Sequence, residues 1–205
     1  MPQELNYTHG TSAIFKGTVP AGHPLEGQIA NPAVPTMPQM WVLGSSGGGA
    51  SFAAHLGMQF AFAHFINAYS GAEVSKAYRQ HFRPGHEERP RVALAMLVVC
   101  TRDDAEAKAV ERAMLMRWAM TALGQNRPVP TVEEAAAYVM SPREEMLTER
   151  DRPRATIGTP DYVAERVRKT KAEFEADEVI LVSMAPSYEL RTFTCERMAE
   201  AFRLE

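Results

Sequence analysis

Four nearly continuous apolar runs, at 40–44, 59–65, 92–100 and 178–184, punctuate the chain. Runs apolar at successive positions predict strands buried on both faces, as in a parallel sheet covered by helices. Between them lie segments with helical spacing. The first is short and stops at Gly57, and a second covers 72–82 after Asn67 and Ser70. A third, 103–123, opens with Asp103, Asp104 and Glu106, which suit the positive end of a helix dipole. Its apolar stripe is Val110, Met114 and Trp118. Thr131 to Glu134 and Ser141 to Glu144 each fit a capping box, the second with Pro142 at the first helical position. Thr159-Pro160-Asp161 opens a helix whose buried face is Val163, Val167, Thr170 and Phe174. A last helix, about 188–203, is expected to pack Cys195, Met198 and Phe202.

Residues 1–38 break this rhythm. Pro20, Gly22, Pro24, Pro32, Pro35 and Pro38 predict an extended segment leading into a domain over 39–205. A short helix is expected within 3–16, weakened by about 1 kcal/mol by Gly10. The charged stretch Arg143–Arg154 reads as a solvated helix and loop. Successive strand–helix units point to α/β architecture with right-handed parallel crossovers. A complete eight-unit barrel needs roughly 250 residues. Four strands in 205 residues fit part of a barrel or a small open sheet.

Composition adds mainly exclusions. Apolar content of 45%, charged content of 23% and a formal net charge of -3 describe an ordinary globular domain. No basic cluster invites nucleic acid, and no run of apolar residues is long enough for a membrane span. Cys100 and Cys195 stand far apart without metal-site spacing, which predicts reduced thiols and a cytoplasmic location. No pair of histidines has ligand spacing, so no metal is expected.

Chemistry concentrates at the end of the first strand. Gly44-Ser45-Ser46-Gly47-Gly48-Gly49 joins strand to helix, an arrangement that offers backbone N–H groups to an anion. A tight turn whose glycines only relieve backbone strain explains the same residues. The pattern does not fit the Gly-x-Ser-x-Gly elbow, so Ser45 is not a hydrolase nucleophile. His64 ends the second strand, where barrel active sites form, and reads equally as a packing residue. Cys100 reads as core.

Trp41 to Ser46, Ala53 to Gly57 and Phe60 to Phe65 together resemble the fifth strand, following helix and sixth strand of the bacterial luciferase-like, flavin-dependent monooxygenases. Gly17 to Pro24 is similar to the segment leading into that fifth strand. Arg91–Cys100 with Thr101 to Ala107 is similar to the seventh strand and its helix, and Ile157 to Pro160 with Asp177–Met184 to the approach to the last helix pair and the eighth strand. The resemblance implies a partial (β/α)8 TIM barrel, its strands five to eight, in an N-terminally shortened chain. The strands at 40–44 and 178–184 would each expose an unpaired edge, which predicts that two copies pair as a dimer or other homo-oligomer, or that residues 1–38 cover the edges. The resemblance also implies an FMN-dependent monooxygenase. Reduced FMN would come from a separate flavin reductase, with O2 and a small molecule such as an aldehyde as co-substrates. Gly44, Ser45, Ser46 and Gly49 match residues that hold the FMN phosphate, and Ala63 and His64 match positions beside the flavin ring. The family's upstream active-site residues have no counterpart here. The alternatives are a non-catalytic flavin- or phosphate-binding half-barrel and a structural half that associates with another chain.

Overall fold

The computed structural model describes residues 13–32, 36, 38–125 and 127–204, and the chain divides into two compact units between Gln39 and Met40. In the first unit, residues 13–16 form one helical turn, with the Gly17 N–H donating to Ile14 O at 3.2 Å. The rest of the helix expected over 3–16 lies outside the described residues. Turns follow, one of them closed by the Gly22 N–H on Glu26 Oε2 at 2.7 Å.

The second unit is built on a parallel sheet. Its strands are β1 (Trp41–Gly44), β2 (Gln59–Ala63), β3 (Val92–Cys100), β4 (Ala155–Gly158) and β5 (Glu178–Val182). β1 pairs with β2 from Trp41↔Gln59 to Gly44↔Phe62, and β2 with β3 from Phe60↔Val92 to Ala63↔Ala95. β5 joins β3 from Ala93↔Glu178 to Leu97↔Val182. Leu97 also pairs with Ala155 of β4, and a strand has only two flanks. β4 therefore continues the flank that β2 vacates. The second and fourth runs stop short of the expected 65 and 184, and β4 was not anticipated.

Seven α-helices cover this sheet among the described residues: α1 (Gly47–Leu56), α2 (Gly71–His81), α3 (Asp104–Ala122), α4 (Val132–Ala137), α5 (Pro142–Glu149), α6 (Pro160–Glu173) and α7 (Tyr188–Phe202). α1 ends where Gly57 adopts φ 62° and returns its N–H to Ala53 O. Both expected capping boxes form, at Thr131/Glu134 and Ser141/Glu144. Phe60, Phe62, Leu94 and Met96 meet α1, α2, α6 and α7 on one face. On the other, Leu97 packs on Met114, Leu115 and Trp118 of α3. α7 corrects one expectation: it buries Leu190, Thr194 and Met198, while Cys195 is exposed. One residue is 100° of helix, so burying Thr194 turns Cys195 away.

The N-terminal ends of the strands are tied by a polar knot. Asp177 Oδ2 accepts the Val92 N–H at 2.7 Å and the Arg79 guanidinium at 2.8 Å. Arg79 also donates to Glu175 O at 2.7 Å and Pro90 O at 3.2 Å. Burial alone would raise the Asp177 carboxyl, but the Val92 N–H and the nearby Arg79 and Arg91 hold it below the usual carboxylate range. Gln59, fully buried, accepts the Arg91 N–H at 2.6 Å. Tyr78 donates to Met58 O at 2.9 Å.

Candidate anion site at the carboxyl end of the sheet

The loop after β1 holds two kinds of glycine. A Cβ at Gly44 would lie 3.3 Å from the Phe60 ring and 3.4 Å from the Gly49 backbone, so Gly44 and Gly49 permit a close crossing of strand end and helix start. Gly47 and Gly48 differ. A Cβ at Gly47 would meet nothing within 4 Å, and one at Gly48 only Ser46 Oγ at 3.9 Å. Neither has positive φ. Internal packing therefore does not demand them, and their bare backbone faces open space.

That backbone is the first turn of α1. Ser46 is the extended N-cap residue, yet its side chain makes no cap hydrogen bond, and the first turn carries no acidic residue. The first intrahelical bond runs from Ala50 N to Ser46 O at 3.5 Å. The N–H groups of 47–49 thus lack intrahelical acceptors. Each of the other six α-helices among the described residues has a side-chain cap or an acid in its first turn. α1 leaves its positive end bare, with Ser45 and Ser46 immediately before it in the chain. That set of neutral donors and partial positive charge suits a phosphate.

The register of the sheet brings the second candidate pair alongside. Gly44 pairs with Phe62, so Ala63 and His64 follow directly beside the loop. They do not act together. The period of two puts His64 on the face of Phe60 and Phe62, and its ring stands edge-on to Phe174 with centroids 6.0 Å apart. Burial, then the Arg166 guanidinium, holds its pKa below the ordinary histidine value, with Glu173 pulling the other way. The imidazole is half-buried against α6. Ala63 lies on the opposite face. Cys100 is buried in the core as expected, its thiol pushed up to about 11 chiefly by burial.

Five contacts around the loop were not anticipated. Asn67 Nδ2 donates to Ser45 O at 2.9 Å, and its Oδ1 accepts the Tyr69 N–H at 3.0 Å. Tyr69 donates to Arg150 O at 3.1 Å. Arg154, expected in a solvated stretch, donates from Nε to Phe65 O at 2.8 Å and lies 5.1 Å over the Trp118 ring. The charged segment thus closes onto the end of β2. The only sequence signal was Asn67 itself, a turn former placed just after a strand.

Among the described residues no group of His, Cys, Asp and Glu could hold a metal ion, and no helix is long and apolar enough to cross a membrane. Comparison with known proteins gives the site a context. The sequence pattern of the luciferase-like monooxygenases matches residues 13–178. The uncharacterized protein YceB of Bacillus subtilis (strain 168) is 31% identical over 192 residues, which cover 93% of this chain and 58% of YceB. The crystal structure of apo-MsnO8 superposes with a TM-score of 0.82 at 29% identity, covering all of this chain and 62% of that one. A riboflavin lyase solved with modified FMN and riboflavin shares the fold, with a TM-score of 0.52 at 15% identity over 81% of this chain and 43% of its own. The chain spans about three-fifths of the length of YceB. It carries the later strands of a TIM-barrel architecture, and it belongs to the luciferase-like monooxygenase family.

Proposed function

We propose that this chain supplies the phosphate-binding half of an FMN-dependent monooxygenase site. The observation that carries this reading is the bare amino end of α1, where Gly47 and Gly48 leave room that no internal contact uses. The N–H groups of 47–49 and the Ser45 and Ser46 hydroxyls bind the phosphate. Gly44 and Gly49 hold strand and helix close enough for them to converge. Ala63, with no side chain beyond Cβ, lets the flavin ring approach the end of β2. His64 contributes its backbone and its packing on Phe174 rather than its imidazole. Its lowered pKa keeps the imidazole uncharged near neutral pH.

Reduced FMN held there would supply the two electrons that monooxygenation by O2 requires. The protein's own part is to bind, orient and exclude water from the flavin. The substrate is a small molecule, an aldehyde being the family-based choice, and a separate reductase delivers the reduced flavin. Outside the pairings already given, β1 and β5 each keep one flank unpaired among the described residues, which favours a homo-oligomer. The two free thiols favour a cytoplasmic location.

The reading is tested by titrating the chain into FMN, then supplying NADH and a flavin reductase with candidate aldehydes. Quenched flavin fluorescence and substrate-dependent O2 consumption are expected. Quenching without oxygenated product would make the chain a binding module, and no quenching at high micromolar FMN would exclude both.

A further inference from the structure

We infer that Asn67 is a positioning residue for the phosphate loop, fixing the Ser45–Ser46 peptide from which α1 starts. The inference rests on the proposed phosphate site and adds to it the device that sets its geometry. Ser45 O can only accept and the Tyr69 N–H can only donate, so the Asn67 amide has one orientation that satisfies both. A trans peptide is planar, with its C=O and N–H pointing in opposite directions. Fixing the Ser45 carbonyl toward Asn67 therefore fixes the Ser46 N–H away from it. Ser46 is the residue from which α1 starts, and its side chain supplies no cap of its own. Through Tyr69 the same asparagine is tied to Arg150, so the loop after β1, the loop after β2 and the segment after α5 are held in one register. Neighbouring Gly47 and Gly48 are the residues with the greatest backbone freedom, so a loop without this anchor would have to be ordered by the ligand.

The test compares wild type with Asn67→Ala, measuring dissociation constants for FMN and for riboflavin, together with amide hydrogen exchange over 40–52 in the ligand-free protein. The probes differ only in the phosphate. Wild type preferring FMN supports the parent site. Asn67→Ala is expected to weaken FMN about tenfold, leave riboflavin within about twofold, and raise exchange over the loop at least about threefold. Asn67→Asp keeps the Oδ acceptor for Tyr69 and removes the donor to Ser45, and serves if the alanine variant does not fold. Faster loop exchange with selective loss of FMN is expected of it too. If wild type prefers FMN but the variants lose both flavins equally, lose neither, or exchange at the wild-type rate, the positioning role is overturned. If wild type binds FMN and riboflavin alike, the phosphate site fails first, whatever Asn67 does.

Discussion

The two ends of the same sheet are built on opposite principles. At the amino ends, Asp177, Arg79 and Gln59 tie strand starts and helix ends into a knot that includes a carboxylate with a lowered pKa. At the carboxyl ends, a helix begins without a cap, two glycines face open space, and the one strong anchor on the loop is a neutral amide. Interactions at the amino ends are spent within the protein. At the carboxyl end of β1, those of the α1 start are left available. The contrast fits the division of labour in barrel folds, where one end stabilises and the other carries chemistry.

The sharpest way to break this comparison is Gly47→Asp. The carboxylate occupies the open space and repels a phosphate, so FMN affinity should fall by about 100-fold or more in a fluorescence titration. The same acid sits in the first turn of α1, where it should add roughly 0.3–1 kcal/mol of stability. Binding lost with stability held or gained marks a functional end, and stability lost with binding would remove the distinction. At the other end, Asp177→Ala should cost about 1–2 kcal/mol in urea unfolding and leave FMN affinity unchanged. Its partly exposed partners keep the figure modest.

The pH dependence sharpens the same point. Asp177 has a folded pKa below its unfolded value, so its contribution is present above the unfolded value near 3.9 and lost as pH falls through the folded pKa. Wild type should therefore lose stability over that acid range, and Asp177→Asn should flatten this limb while lowering stability at pH 7. An unchanged acid limb would show that the carboxylate contributes nothing. The smallest effect is expected from Tyr69→Phe, which removes one exposed hydrogen bond to Arg150. It should shift stability by about 0.5 kcal/mol and FMN affinity by less than about threefold. A tenfold loss would move the anchor of the loop from Asn67 to Tyr69.

What was legible in the sequence follows the range of the interactions. β3 was readable end to end because nine consecutive buried apolar residues leave little choice. The capping boxes at Thr131 and Ser141 were readable because their partners lie three residues away. β4 was not: Ala155-Thr156-Ile157-Gly158 has no apolar run, and it forms because β3 outlasts β2 and offers a free flank at 97–100. Arg154 looked solvated because its acceptor, Phe65 O, is 89 residues away. The glycines at 44–49 were visible as a group. Which of them serve packing and which face open space depends on the distance to Phe60, and only the fold supplies that.

The distinction between the two ends rests on the phosphate, and one measurement addresses it directly: calorimetric titration of the wild-type chain with FMN and with riboflavin under identical conditions. Charge-assisted bonds at a bare helix end contribute roughly 1.5–3 kcal/mol, so FMN should bind at least about tenfold more tightly. Equal affinities for the two flavins would contradict the assignment of the α1 amino end as the phosphate site.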